Sequence, residues 1–200
     1  ENAAGTSPVT LTNVVCNGGT NWGAYFHTFA SPASLTLTDT VTTSTAGGLF
    51  FGAIAGSAVT VHGGSSNSGS QAAARVSGVT ASASVSFTSV AIASSGYFGL
   101  DAENFADSAL NVVGCALSGT NGARVKTASN SQIAVSHTSA VASTQHGLRF
   151  EVLSAASTLS VSHVEVSSSA NSHGIYVTDV TGGTVDISDS VVSGSVKSGL

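Results

Sequence analysis

The chain has 200 residues and a formal net charge of −5, and Asp, Glu, Lys and Arg make up only 8 % of it, against ~25 % in an ordinary soluble domain. Serine (36), threonine (22) and glycine (23) dominate, methionine is absent, and the apolar share is 42 %. Five basic residues exclude a binder of nucleic-acid backbones, and the apolar share excludes a charge-rich disordered segment.

In chain order the sequence falls into eight similar rows. Row one carries Val9-Thr10-Leu11, then Cys16, then Gly23 before Ala24-Tyr25-Phe26, with Phe29 three residues on. Row two repeats this as Leu35-Thr36-Leu37, Gly48, Leu49-Phe50-Phe51 and Ile54, and row three as Val59-Thr60-Val61, Ala74-Arg75-Val76 and Val79. Row four has Val85-Ser86-Phe87, Ile92 and then Gly96-Tyr97-Phe98-Gly99-Leu100, which reads as one residue longer than its neighbours. Row five follows with Leu110-Asn111-Val112, Leu117, Gly122, Ala123-Arg124-Val125 and Ala128. Row six has Ile133-Ala134-Val135, Gly147, Leu148-Arg149-Phe150 and Leu153. Row seven has Leu159-Ser160-Val161, Val166, Gly174, Ile175-Tyr176-Val177 and Val180, and row eight opens with Val185-Asp186-Ile187 and Val192. From Leu11 to Ile187 the last members of the first triplets step by 26, 24, 26, 25, 23, 26 and 26 residues.

Apolar residues at every second position predict short strands with one buried face, and Ser, Thr, Val and Gly are poor helix formers. Strands repeating at a fixed period predict a solenoid in which each row is one coil stacked on the next. A glycine precedes most second triplets (row three has Ala73 there) and is expected at a turn of positive φ. Stacking at ~4.8 Å places equivalent residues above one another, so columns of Ser and Thr are tolerated where columns of like charge would repel. The low charge thus has a cause in the repeat.

Stretches such as Gly174-Ile175-Tyr176-Val177 followed by Val185-Asp186-Ile187-Ser188-Asp189-Ser190 resemble the coil of the right-handed parallel β-helix family, the pectate-lyase-like superfold. The resemblance covers nearly the whole chain. It implies an all-β, right-handed parallel β-helix solenoid of about eight coils of 23–26 residues, with residues 1–200 forming one array. The same fold carries lyases, hydrolases, adhesins and fibre proteins, so it does not name an activity. Residues 1–8 read as the tail of a preceding coil, Leu200 falls inside a second triplet, and residues 1–200 are expected to include no leader. The chain is therefore expected to be a segment of a longer one. No apolar run approaches the ~20 residues of a membrane span.

Cys16 and Cys115 lie four rows apart, ~19 Å, and are expected as free buried thiols with no disulfide. The outward column of second triplets reads Tyr25, Phe50, Arg75, Gly99, Arg124, Arg149, Tyr176. Two residues on, it reads His27, Gly52, Ser77, Asp101, Lys126, Glu151, Thr178. Asp101, Lys126 and Glu151 are expected to alternate in charge beside Arg124 and Arg149, with Tyr176 within cation–π reach of Arg149. Asp101, Arg124, Lys126, Arg149 and Tyr176 are thus candidates for a shallow site for an anionic or carbohydrate ligand. The plainer reading is a mutually neutralised surface patch. His137 and His163 share a column with Asp189 in the next coil, a weak candidate metal site, and His146 and His173 form a second pair. Polar stacking is the plainer reading there.

Pectin hydrolases of this fold carry four ordered elements, and Arg124-Val125-Lys126-Thr127 and Ser172-His173-Gly174-Ile175 are similar to two of them. Their order is reversed, no Asp-Asp pair exists, and the acidic residues are scattered across rows, so no catalytic residue is assigned. Thr10-x-Thr12 and Thr36-x-Thr38 are similar to the threonine ladder of ice-binding solenoids, but the ladder decays by Thr60-x-His62. The sequence points first to a structural or adhesive, non-enzymatic segment of a large extracellular, cell-surface or filament protein. Copies of itself, other surface proteins or glycans are its expected partners, O-glycans on the Ser/Thr columns are compatible with it, and no cofactor is called for. The alternatives are a carbohydrate-active enzyme and an ice-binding solenoid.

Overall fold

The computed structural model describes residues 8–168 and 173–194. The readings placed on residues 1–7 and on Gly199 and Leu200 lie outside the described residues. Three parallel sheets run along the array, with one strand of each per coil except that coil five enters the third sheet as two short strands, Asn121–Val125 and Ala128–Ser129. The first sheet contains Pro8–Thr12, Ser34–Thr38, Ala58–His62, Ser84–Thr88, Ala109–Val113, Gln132–Ser136, Thr158–Ser162 and Thr184–Ser188, which open coils one to eight. The second sheet likewise has eight strands. The third runs over seven coils, from Ala24–Ala30 to Ile175–Thr181. The fold is a parallel β-solenoid of seven closed coils, with two strands of an eighth described, where eight were expected.

Every first triplet pairs in the expected register: Leu11, Leu37, Val61, Phe87, Val112, Val135, Val161 and Ile187 form one column. Their side chains meet the inward residues of the third sheet, and Phe51, Phe87, Phe105 and Phe150 fill the centre. The inward column of the second sheet runs Cys16, Thr42, Ser66, Ile92, Leu117, Ala140, Val166, Val192. Thr42 and Ser66 are fully buried in it and satisfy one another: the Thr42 hydroxyl donates to Ser66 Oγ at 2.7 Å, and Ser66 donates to the Ala73 carbonyl at 2.5 Å. Cys115 is buried, Cys16 is half-buried, and both are free thiols.

The corner after the first sheet is left-handed in all eight coils. Asn13, Asp39, Gly63, Ser89, Gly114, His137, His163 and Asp189 have φ between 48° and 67°. Asn, Asp, His and Gly tolerate that conformation best, which accounts for most of the column. Each N–H from Asn13 to His163 donates to a carbonyl of the following coil, so the ladder passes unbroken through the bend.

The glycine before most second triplets has a different role from the one expected. Gly23, Gly48, Gly99, Gly122 and Gly147 do not have positive φ. A Cβ on Gly48 would lie 2.2 Å from the Ala73 carbonyl oxygen, and one on Gly122 would lie 2.5 Å from that of Gly147. These glycines exist for close approach of neighbouring coils. Gly99 belongs to that column, because Leu100 pairs with Ala74 and Ala123. Row four is therefore not the long one. Ser68 to Ala74 and Ser94 to Leu100 are equal intervals, whereas coil five passes from Gly119 to Ala123 in two fewer residues. Among the described residues no helix is long and apolar enough to cross a membrane.

Candidate functional site

The basic residues gather on the outward face of the third sheet, with Asp101, Glu103 and Glu151 among them. Four of the five basic residues, Arg75, Arg124, Lys126 and Arg149, stand there, and the fifth, Lys197, lies outside the described residues. The true register corrects the expected columns by two residues in coil four. Asp101 takes the place given to Gly99, pairing with Arg75 on one side and Arg124 on the other. Glu103 takes the place given to Asp101, opposite Ser77. The columns are thus Tyr25, Phe50, Arg75, Asp101, Arg124, Arg149, Tyr176 and, two residues on, His27, Gly52, Ser77, Glu103, Lys126, Glu151, Thr178. The misreading came from Gly96, which resembles the marker glycine of the other rows.

Asp101 is 1 % exposed, which an outward carboxylate in a sheet reaches only when its neighbours close over it. Arg124 grips it with a fork, Nε to Oδ1 at 2.8 Å and Nη2 to Oδ2 at 3.1 Å. The same guanidinium lies 4.4 Å above the Phe98 ring, a cation–π contact that fixes its other side. Burial opposes the charge on Arg124, yet its hydrogen bond and attraction to Asp101 outweigh that and raise its pKa further. Arg75 Nη2 bonds Glu103, and Ser77 Oγ stands 3.5 Å from the same carboxylate. Burial acts most strongly on Glu103 and disfavours its charge, but Arg75, Arg124 and Lys126 together hold its pKa below the usual 4.5. Arg149 Nε meets Glu151 and its guanidinium lies 5.9 Å from the Tyr176 ring, the cation–π contact expected from the sequence. Lys126, beyond Val125, is exposed between Glu103 and Glu151 in the same column.

Aromatic rings flank this charged centre at both ends. Tyr25 and Phe50 stack at 4.7 Å and 5° between planes, His27 lies parallel to Tyr25 at 5.8 Å, and Trp22 packs against Phe50 at 5.1 Å. At the other end His146 stacks on Tyr176 at 4.6 Å and on His173 at 5.5 Å. Sequence reasoning singled out neither Trp22 nor Tyr97, because both lie in turns outside the triplet pattern.

His137 and His163 do stack, with centroids 4.9 Å apart and planes 3° apart, and His163 Nε2 is 4.0 Å from Asp189 Oδ2. Rings lying face to face direct their nitrogens in parallel planes, whereas zinc needs them to converge at ~2.0–2.2 Å. Among the described residues no group of three His, Cys, Asp or Glu stands close enough to hold an ion. The two histidines occupy the left-handed corner, and the stack follows from that place. Compared with family models, curated proteins and solved structures, the chain finds no match in any of the three. The case for function rests on the geometry alone.

Proposed function

We propose that this chain is a structural, adhesive stretch of β-solenoid, part of a protein displayed outside the cell, in which the coils supply a stiff rod and the third sheet an outward recognition face. The observation that supports this best is the pairing of the acids on that face: Asp101 with Arg124, Glu103 with Arg75, Glu151 with Arg149. Glycoside hydrolysis needs one carboxyl held protonated and another free to act as base or nucleophile. Glu103 is shifted the opposite way from a general acid, and both Asp101 oxygens are occupied by a guanidinium. The low charge and the Ser/Thr exterior suit a surface whose coils repeat without self-repulsion, and glycans or further copies are its natural partners. Incubation with neutral and acidic polysaccharides, followed by assays for new reducing ends and for unsaturated products, tests the reading. No turnover is expected. Turnover that Glu103→Gln abolishes would replace the adhesive reading with the enzymatic one.

A further inference from the structure

A slot of about 230 Å³ opens where the turn between the second and third sheets passes the charged face, bounded by Trp22, Tyr97, Arg75 and Asp101 over a floor of Ser70, Gln71 and Ala72. Its two aromatic walls come from different coils. The Trp22 indole leans from coil one over Gly47 of coil two, so closely that a Cβ there would lie 2.4 Å from the ring. Tyr97 stands in coil four, 40 % exposed. Two strand spacings separate those levels, roughly 10 Å, so one ring can rest at ~3.5–4.0 Å from either wall while the other bounds the slot. Coil three presents only small or polar residues between them, and this leaves the slot open.

The walls and floor are held in place before any ligand arrives. The Gln71 carbonyl accepts from both Ser68 and Ser94 hydroxyls at 2.7 Å. The Tyr97 N–H donates to Ser94 Oγ at 3.0 Å, and the Tyr97 carbonyl accepts from the N–H and hydroxyl of Thr120 at 2.8 and 2.9 Å. Arg75 is the cation that lines the slot, and its side chain is 36 % exposed. Arg75 Nε is buried and makes no hydrogen bond among the described residues, with Asp101 Oδ2 3.9 Å away.

We propose that this slot is a binding subsite for one unit of a neutral glycan. The ligand lays an apolar C–H face on Tyr97, with Trp22 bounding the other side, and accepts from the part-exposed Arg75 guanidinium through a ring or hydroxyl oxygen. The inference rests on the adhesive reading and names its ligand class. An acidic sugar is disfavoured: the Arg75 and Arg124 charges are already met by Glu103 and Asp101, and those carboxylates would repel another. A sugar ring presents both an apolar face and acceptor oxygens, which an aromatic wall beside a guanidinium together require.

Trp22 is the sole tryptophan, so its fluorescence reports on the slot directly. Neutral hexasaccharides of glucose, mannose and galactose, with a hexagalacturonate as the anionic comparator, are titrated against the intact chain. At least one neutral probe is expected to change the emission saturably. Tyr97→Ala, at an exposed position, is expected to weaken that binding about tenfold or more, the scale of losing one aromatic anchor. Arg75→Lys, which keeps a cation near Glu103 but removes the planar guanidinium, is expected to weaken it as well. Circular dichroism of each variant checks that the coils remain. Three results would overturn the subsite: no saturable response to any neutral probe, preference for the galacturonate, or a response unchanged in Tyr97→Ala. A probe that is bound and also cleaved would instead overturn the adhesive reading and leave the subsite standing.

Discussion

A carboxylate 1 % exposed on the outside of a sheet depends on its partner, and Asp101 has one that leaves it no water-facing lone pair to spare. Arg124→Gln removes the fork and leaves a buried charge, a change that costs about 3–5 kcal/mol in comparable sites. The low end is expected, because Arg75 Nε at 3.9 Å remains to share the charge. Urea unfolding of Arg124→Gln, Asp101→Asn and the double variant checks this. The double variant should be more stable than Arg124→Gln alone, since it no longer buries an unpaired charge. Glu103 makes a second residue-scale prediction with a definite sign. Its carboxyl is held below 4.5 in the folded chain, so its contribution is complete above the ordinary carboxylate range and is lost as the pH falls through the lowered value. The stability gap between the parent and Glu103→Gln should stay level from neutral pH to about pH 5 and close on further acidification. A gap that widens on acidification would refute the pairing.

Coils approach one another closely wherever the chain enters the third sheet, and there the backbone, not the side chains, sets what is allowed. Gly48→Ala would drive a methyl against the Ser66 hydroxyl at 2.1 Å and the Ala73 carbonyl at 2.2 Å. Gly19 meets nothing within 4 Å and serves as its control. Thermal melts should show Gly48→Ala destabilised by about 1–3 kcal/mol or more, the cost of overpacking, and Gly19→Ala nearly unchanged. At this scale legibility in the sequence had a physical limit. The first-sheet triplets could be read in full, since alternate burial of Val, Leu, Ile and Phe is a hydrophobic signal and every one of them pairs as expected. Thr42 and Ser66 were silent, because they are inward yet polar, and only their mutual hydrogen bond explains their burial. Asp101 was assigned to the wrong column because two glycines, Gly96 and Gly99, competed for one marker position. Trp22 and Tyr97 follow no period at all, and which aromatic rings face one slot depends on turn geometry that alternation does not encode.

Each coil touches chiefly the coils before and after it, so the array behaves as a row of coupled units whose cooperativity depends on the interfaces between them. Phe87 in coil four is fully buried and meets Phe51 edge-on across 6.2 Å. Phe87→Ala opens a cavity in the middle of the stack at a cost of about 3–5 kcal/mol. In a globular core that loss would shift one transition; in a solenoid it weakens the link between the two halves. Ile187→Ala, at a half-buried position in coil eight, removes packing from a unit described on one side only. Hydrogen exchange separates the two outcomes. Ile187→Ala should raise exchange in coils seven and eight and leave coils two to four protected. Phe87→Ala should broaden or split the denaturant transition and raise exchange on both sides of coil four. A single, equally sharp transition in Phe87→Ala, with protection lowered uniformly along the chain, would mean that the coils unfold as one body. The face carrying the paired charges and the aromatic slot spans coils one to six and draws its rigidity from them. The same substitution therefore tests whether a recognition surface spanning several coils survives the loss of coupling beneath it.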